Sequence, residues 1–139
     1  MKKIIDKLSN KSSFDILVIE DNPDDVFLIE LAIKKANIKS CISVFNNGEE
    51  AISYLTKLID EKAKLPDLIL LDINLPKITG LEVLKKIKFI KSIFTVVFTS
   101  SDSTSDMNSC YSNGADLYIK KPNDINSFKE VMIYIKNYL

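Results

Sequence analysis

The sequence predicts an α/β fold, a right-handed doubly wound sheet of five parallel strands flanked by five helices. Three observations carry that reading. Five short runs of β-branched and apolar residues recur along the chain. Between each successive pair lies a segment with helical periodicity, at roughly one βα unit per 25 residues. Finally, two of the runs, Ile-Leu-Val-Ile before Glu20 and Leu-Ile-Leu-Leu before Asp72, are continuously apolar and end abruptly in acid, as strands buried on both faces of a parallel sheet do.

Residues 15–20 form the first strand, and the others are expected at 41–45, 68–71, 94–98 and 117–119. The first helix takes Asn22 as its N-cap, Pro23 at the first helical position and Asp24 and Asp25 in its first turn, and runs to about residue 36. A second helix over 48–60 repeats Ala51, Ile52, Leu55 and Leu58 or Ile59 on one face before Pro66 resets the chain. In the third, over 80–90, Leu81, Leu84, Ile87 and Phe89 face inward, and Lys85, Lys86, Lys88 and Lys91 form a mostly solvated face. The fourth, over 102–111, is rich in Ser and Asn and is followed by Gly114 as a terminator. Asp124 caps the fifth, whose core stripe is Phe128, Val131, Met132 and Ile135.

Composition narrows the function. A chain of 139 residues, 46% hydrophobic and 27% charged with 3 Gly and 4 Pro, reads as one globular domain, expected over 14–139 behind a basic lead at 1–13. Nineteen Lys+Arg against 19 Asp+Glu give zero net charge, which argues against nucleic acid or an anionic membrane as partner. With no histidine, a Ser-His-Asp triad, a His-ligated zinc and His general-base chemistry within the chain are excluded. Cys41 and Cys110 lack a CxxC spacing and read as small buried hydrophobes. There is no apolar run of signal-peptide or membrane-span length, so a soluble cytoplasmic protein is expected.

In an open parallel sheet, ligands bind outside the carboxyl ends of the strands. That rule gathers Glu20 and Asp21 after the first strand, Asp72 at the end of the third, Thr99 after the fourth and Lys121 after the fifth. Three carboxylates at one edge repel one another unless a cation intervenes. Magnesium suits the set, with Asp21 and Asp72 as direct ligands, Glu20 acting through water and the Asn74 carbonyl completing the shell. The Asp72 carboxylate can then attack phosphorus to form an aspartyl phosphate, while Lys121 supplies a second cation and Thr99 a hydroxyl donor. By contrast, Asp24 and Asp25 read as first-turn helix residues, each contributing a few tenths to about 1 kcal/mol through the helix dipole.

The joint pattern of Glu20-Asp21-Asn22-Pro23-Asp24-Asp25, Leu70-Leu71-Asp72-Ile73-Asn74-Leu75-Pro76 with Gly80, Phe98-Thr99-Ser100, Gly114-Ala115 and Tyr118-Ile119-Lys120-Lys121-Pro122 resembles the receiver domain of two-component response regulators over residues 14–139. The opening acidic motif and the Cys110-Tyr111 region more narrowly resemble the single-domain type associated with phytochromes. The resemblance implies a flavodoxin-like, CheY-like sheet of order 2-1-3-4-5. It also implies Asp72 as phosphoacceptor, Glu20 and Asp21 as the metal-binding pair, Thr99 as the switch hydroxyl and Tyr118 as the switch aromatic. Lys121, directly before Pro122, takes the place of the phosphoryl-contacting lysine, and Lys120 does not. Asn74 and Ser101 stand where the family tunes phosphoryl loss, and Thr79 departs from the Asp common before the glycine.

On this resemblance the chain is a single-domain response regulator that takes a phosphoryl group from a histidine kinase or phosphotransfer protein. It would signal to a downstream protein, or dimerise, through the face formed by the fourth helix, fifth strand and fifth helix, and would be no enzyme beyond gaining and losing its own phosphoryl group. One alternative is a pseudo-receiver that binds partners without phosphorylation. An aspartyl phosphohydrolase would need an acid where Asn74 stands, and a flavin module would need a Ser/Thr/Gly-rich loop where Glu20, Asp21, Asp24 and Asp25 stand.

Overall fold

The computed structural model describes residues 13–139, so the basic lead expected at 1–13 lies, except for Ser13, outside the described residues. Strands β1 (Phe14–Ile19), β2 (Ser40–Phe45), β3 (Leu68–Leu71), β4 (Thr95–Thr99) and β5 (Leu117–Lys120) alternate with helices α1 (Pro23–Lys35), α2 (Gly48–Asp60), α3 (Gly80–Ile90), α4 (Thr104–Ser112) and α5 (Ile125–Lys136). All strand pairs are parallel, in the order β2-β1-β3-β4-β5. Because β1 pairs with β2 on one side and β3 on the other, the chain reverses its direction of travel across the sheet beside β1. This is where an open α/β sheet leaves a crevice at its carboxyl edge.

Alternation along the strands splits the core into two layers. Leu17, Ile19, Ile69, Leu71 and Val97 pack against Ala51, Leu55, Val83, Leu84, Ile87 and Cys110 of α2, α3 and α4. Ile16, Val18, Leu68, Leu70, Val96 and Phe98 pack against Ile29, Ala32, Ile33, Phe128, Met132 and Ile135 of α1 and α5. Both layers are apolar, which is why β3 carries no alternating polar residue and β1 none after Asp15.

Each helix starts on a side chain that accepts a first-turn N–H: Asn22, Asn47, Thr79, Ser103 and Asp124. Thr79, the departure from the family pattern, is thus the N-cap of α3, its hydroxyl accepting from the Glu82 N–H at 3.2 Å. Gly80 has a separate cause. A Cβ there would lie 2.2 Å from Ile73 Cα and 2.4 Å from the Asp72 carbonyl oxygen, so only glycine lets α3 begin against the backbone that carries Asp72.

Several expectations need correction. The fourth helix starts at Thr104, not 102, because Ser103 caps it while Asp102 turns out to meet Lys120 at 3.2 Å. Thr99 belongs to β4 and does not follow it, since its carbonyl still accepts from the Lys121 N–H at 2.7 Å. Phe89 was expected inward and is 91% exposed: Val83, Leu84 and Ile87 fill the buried stripe, and position 89 falls across the helix from Ile87. Lys88 leaves the solvated face, its ammonium donating to the Ile93 carbonyl at 2.7 Å and to Asp116 at 3.1 Å. Cys110 is buried as expected, but Cys41 is exposed on the edge strand β2.

Candidate functional site

The carboxyl edge of the sheet brings its polar residues together by strand register alone. Glu20 and Asp21 leave β1, and Asp72 leaves β3 beside them, its N–H held by the Ile19 carbonyl at 3.1 Å. Lys121 leaves β5 two strands away and reaches back across Thr99. Its ammonium donates to Glu20, to Asp72 at 2.9 Å and to Asp25 at 2.8 Å. Three N–H bonds exhaust what a lysine can donate. Lys120, its neighbour, points to the opposite side of the strand and, among the described residues, pairs with exposed Asp102.

The cluster is buried and over-charged. Glu20, Asp72, Thr99 and Lys121 are all enclosed, whereas Asp21 is exposed and gives the edge its opening to water. Four carboxylates therefore face one ammonium. Burial pushes the Glu20 carboxyl up to about 7, against the pull of its Lys121 hydrogen bond and with added repulsion from Asp72. Burial also acts against ionised Asp72, but the Asn74 N–H, Lys121 and the Thr99 hydroxyl outweigh it and hold that carboxyl below its usual range. For Lys121 the three carboxylates overcome burial and raise its pKa. At neutral pH Asp72 is thus an ionised carboxylate, with one oxygen fixed by the Asn74 N–H at 3.0 Å and the other by Lys121.

Carboxylate oxygens of Glu20, Asp21 and Asp72 all lie within 4.8 Å of one another, two buried and one exposed. An all-oxygen donor set, open on one side and in negative excess, fits a hard divalent cation that keeps part of its water. Asn74 sits in the adjoining loop, tied to Asp72 by its N–H.

Tyr118 lies inward, its hydroxyl donating to the Ser101 carbonyl at 2.9 Å. Ser101 links several parts of this edge. Its N–H approaches the Thr99 hydroxyl at 3.5 Å, and its own hydroxyl donates to Asp106 of α4 at 2.6 Å. The sequence-predicted residues Glu20, Asp21, Asp72, Asn74, Thr99, Tyr118 and Lys121 are therefore all at one edge. Asp25 is the residue sequence reasoning missed, because a first-turn acid already has a sufficient reason to exist in the helix dipole. No local spacing pointed to it, since Asp21 stands before the N-cap Asn22, where the four-residue helical repeat does not reach.

Known proteins are similar to this chain in sequence and fold. The response regulator receiver domain family matches residues 16–133. The probable methanogenesis regulatory protein FilR2 of Methanothrix harundinacea is 35% identical, over 96% of this chain and 88% of that protein. Response regulator Rcp1 of Synechocystis sp. is 31% identical over 88% of this chain and 86% of its own length. Among solved structures, the phosphorylated cyanobacterial phytochrome response regulator RcpA superposes with a TM-score of 0.81 at 32% identity, covering 91% of this chain and 94% of that one. The Mn2+-bound form of Rcp1 gives 0.77 at 30% identity, over 90% and 93% of the two chains.

Proposed function

The chain belongs to the response regulator receiver family of two-component signalling, and from that premise we propose that Asp72 is its phosphoacceptor, with residues 14–139 forming the receiver domain. The observation that carries this reading is the convergence of Lys121 on Asp72 and Glu20 from β5, two strands away from β3 and three from β1. A lysine that only shaped the turn before Pro122 has no reason to be buried among three carboxylates.

In the proposed reaction an Asp72 carboxylate oxygen attacks phosphorus, the bond from phosphorus to the donor breaks, and the donor group leaves with the bond's electron pair. The donor is the phosphorylated histidine of a kinase or phosphotransfer protein, or a small acyl phosphate. These 139 residues contain no histidine, so the donor lies outside them. Glu20, Asp21 and Asp72, with the Asn74 carbonyl, would hold magnesium, which offsets negative charge on the phosphoryl oxygens. Lys121 contributes a fixed cation, and the Thr99 hydroxyl a donor to a phosphoryl oxygen. Thr99 and Tyr118 then form the switch, since the Thr99–Ser101–Tyr118 contacts run from the acid edge to α4 and β5. Added charge at Asp72 remodels the α4–β5–α5 face for a downstream protein or a second copy.

Its chemistry is confined to its own phosphoryl group. Asn74 stands where a phosphohydrolase would place its second acid, and an amide cannot relay the proton. Among the described residues no helix is long and apolar enough to cross a membrane, which supports a cytoplasmic placement. Intact mass spectrometry after incubation with magnesium and acetyl phosphate tests the assignment. One phosphoryl mass is expected on the wild type and none on Asp72→Asn; normal labelling of that variant overturns it.

A further inference from the structure

Lys121 has three N–H donors, and all three are used: by Glu20, Asp72 and Asp25. A phosphoryl oxygen at Asp72 can be received by this ammonium only if one carboxylate lets go. We propose that Asp25 is the exchangeable partner, a positioning residue that holds Lys121 in the unmodified protein and yields its N–H to the phosphoryl group. The proposal rests on Asp72 as phosphoacceptor.

The three partners differ in what release would cost. Glu20 is only 2% exposed and its other oxygen accepts from the Asn22 N–H at 3.2 Å, so water cannot take the place of Lys121 there without opening the buried edge. Asp72 is the acceptor itself and stays beside the new group. Asp25 stands outside the set of three carboxylates able to share a cation. Its side chain is 24% exposed, against 7% for Lys121 and for Asp72, so water can replace the ammonium there at the lowest cost. It also sits in the first turn of α1, where the backbone N–H groups favour its charge whether or not Lys121 is present. Hydrogen bonding and Coulomb repulsion act in the same sense. Asp25 competes with the phosphoryl oxygen for one donor and also repels it.

This exchange predicts a gain on removing a carboxylate, which damage to the fold would not produce. The probe is beryllofluoride, a phosphoryl analogue, titrated calorimetrically at saturating magnesium. Asp25→Ala, which keeps a helix-favouring residue in α1, is expected to bind it about tenfold more tightly than wild type, in line with one freed charge-assisted donor. Asp25→Asn should shift in the same direction by less, and Asp25→Glu, which can still occupy Lys121, should stay within about twofold of wild type. Asp24→Asn removes the same charge one residue away, where the side chain is exposed, and is also expected within about twofold. Unchanged or weaker binding in folded Asp25→Ala overturns the exchange role, as does an equal gain in Asp24→Asn, which would make the effect one of net charge. Failure of the wild type to bind beryllofluoride, with Asp72→Asn indistinguishable from it, instead overturns the phosphoacceptor reading itself.

Discussion

The two ends of the sheet use the same residue types and arrive at opposite properties. At the amino end, Lys64 meets Asp15 at 2.8 Å and Asp67 at 3.6 Å, and Asp67 also accepts from the Asp15 N–H. At the carboxyl end, Lys121 meets Glu20, Asp25 and Asp72. Lys64 is 58% exposed and Lys121 only 7%. Water screens the first cluster, so the attraction between its charges is weak. In the second, each charge depends on the others, and the surplus of acid can be relieved only by a proton or a cation. Burial, and not the presence of an Asp-Lys cluster, separates a surface contact from a reactive site.

Removing each lysine is the most direct way to break this comparison. Lys121→Ala leaves Glu20 and Asp72 buried without their common partner and is expected to cost about 3 kcal/mol of stability in EDTA. Urea unfolding should show this at pH 8, with magnesium restoring part of the loss by binding the folded state. A midpoint equal to wild type would mean that burial does not couple these charges.

Next in size is Gly80→Ala, expected to cost about 2 kcal/mol because the obstructing atoms are backbone of Ile73 and Asp72 and cannot swing away. The same denaturation experiment reads it. Normal stability together with normal labelling at Asp72 would show that the acid edge tolerates a shift of α3.

A smaller effect follows from Glu20. Its carboxyl titrates near 7 in the folded protein, above its ordinary 4.5, so the folded state binds the proton more tightly than the unfolded one. Stability in EDTA should therefore fall as pH rises through 4.5 to 7, and Glu20→Gln should flatten that slope. The depressed Asp72 works in the opposite sense, contributing stability that is lost as acid protonates it. If Glu20 belongs to the proposed magnesium site it must be ionised there, so magnesium affinity by calorimetry should weaken by up to about tenfold per pH unit below 7 and level off above it. A flat profile from pH 6 to 8 would remove Glu20 from the metal site. The smallest effect belongs to Lys64→Ala, for which no measurable change in the urea midpoint is expected at moderate salt. A clear loss there would erase the contrast between the two ends.

Much of this was legible in the linear chain. Continuous apolar runs marked β1 and β3, Asn22 and Asp124 marked helix starts, and the strand-end rule gathered Glu20, Asp21, Asp72 and Lys121 before any contact was known. The misses share one cause. Phe89 sits in a lysine-rich helix where two apolar stripes can be drawn, and only packing against α2 and the sheet chose between them. Cys41 lies on a strand whose edge position is a fact of topology. Asp25 satisfied a local rule so well that its long-range partner, 96 residues away, left no local trace.

The sequence by itself determined which residues could do chemistry and that they would fall at strand ends, because periodicity, capping and strand-terminal acids are local properties. What it could not fix was which of them share one ammonium, how deeply, and in what excess. Those depend on β5 lying beside β4, with β3 next and β1 beyond it, so that Lys121 spans Thr99 to reach Glu20, and on the surrounding apolar layers that keep water out. Local preference placed the charges along the chain, and only the tertiary fold set the distances and the burial on which their energies depend.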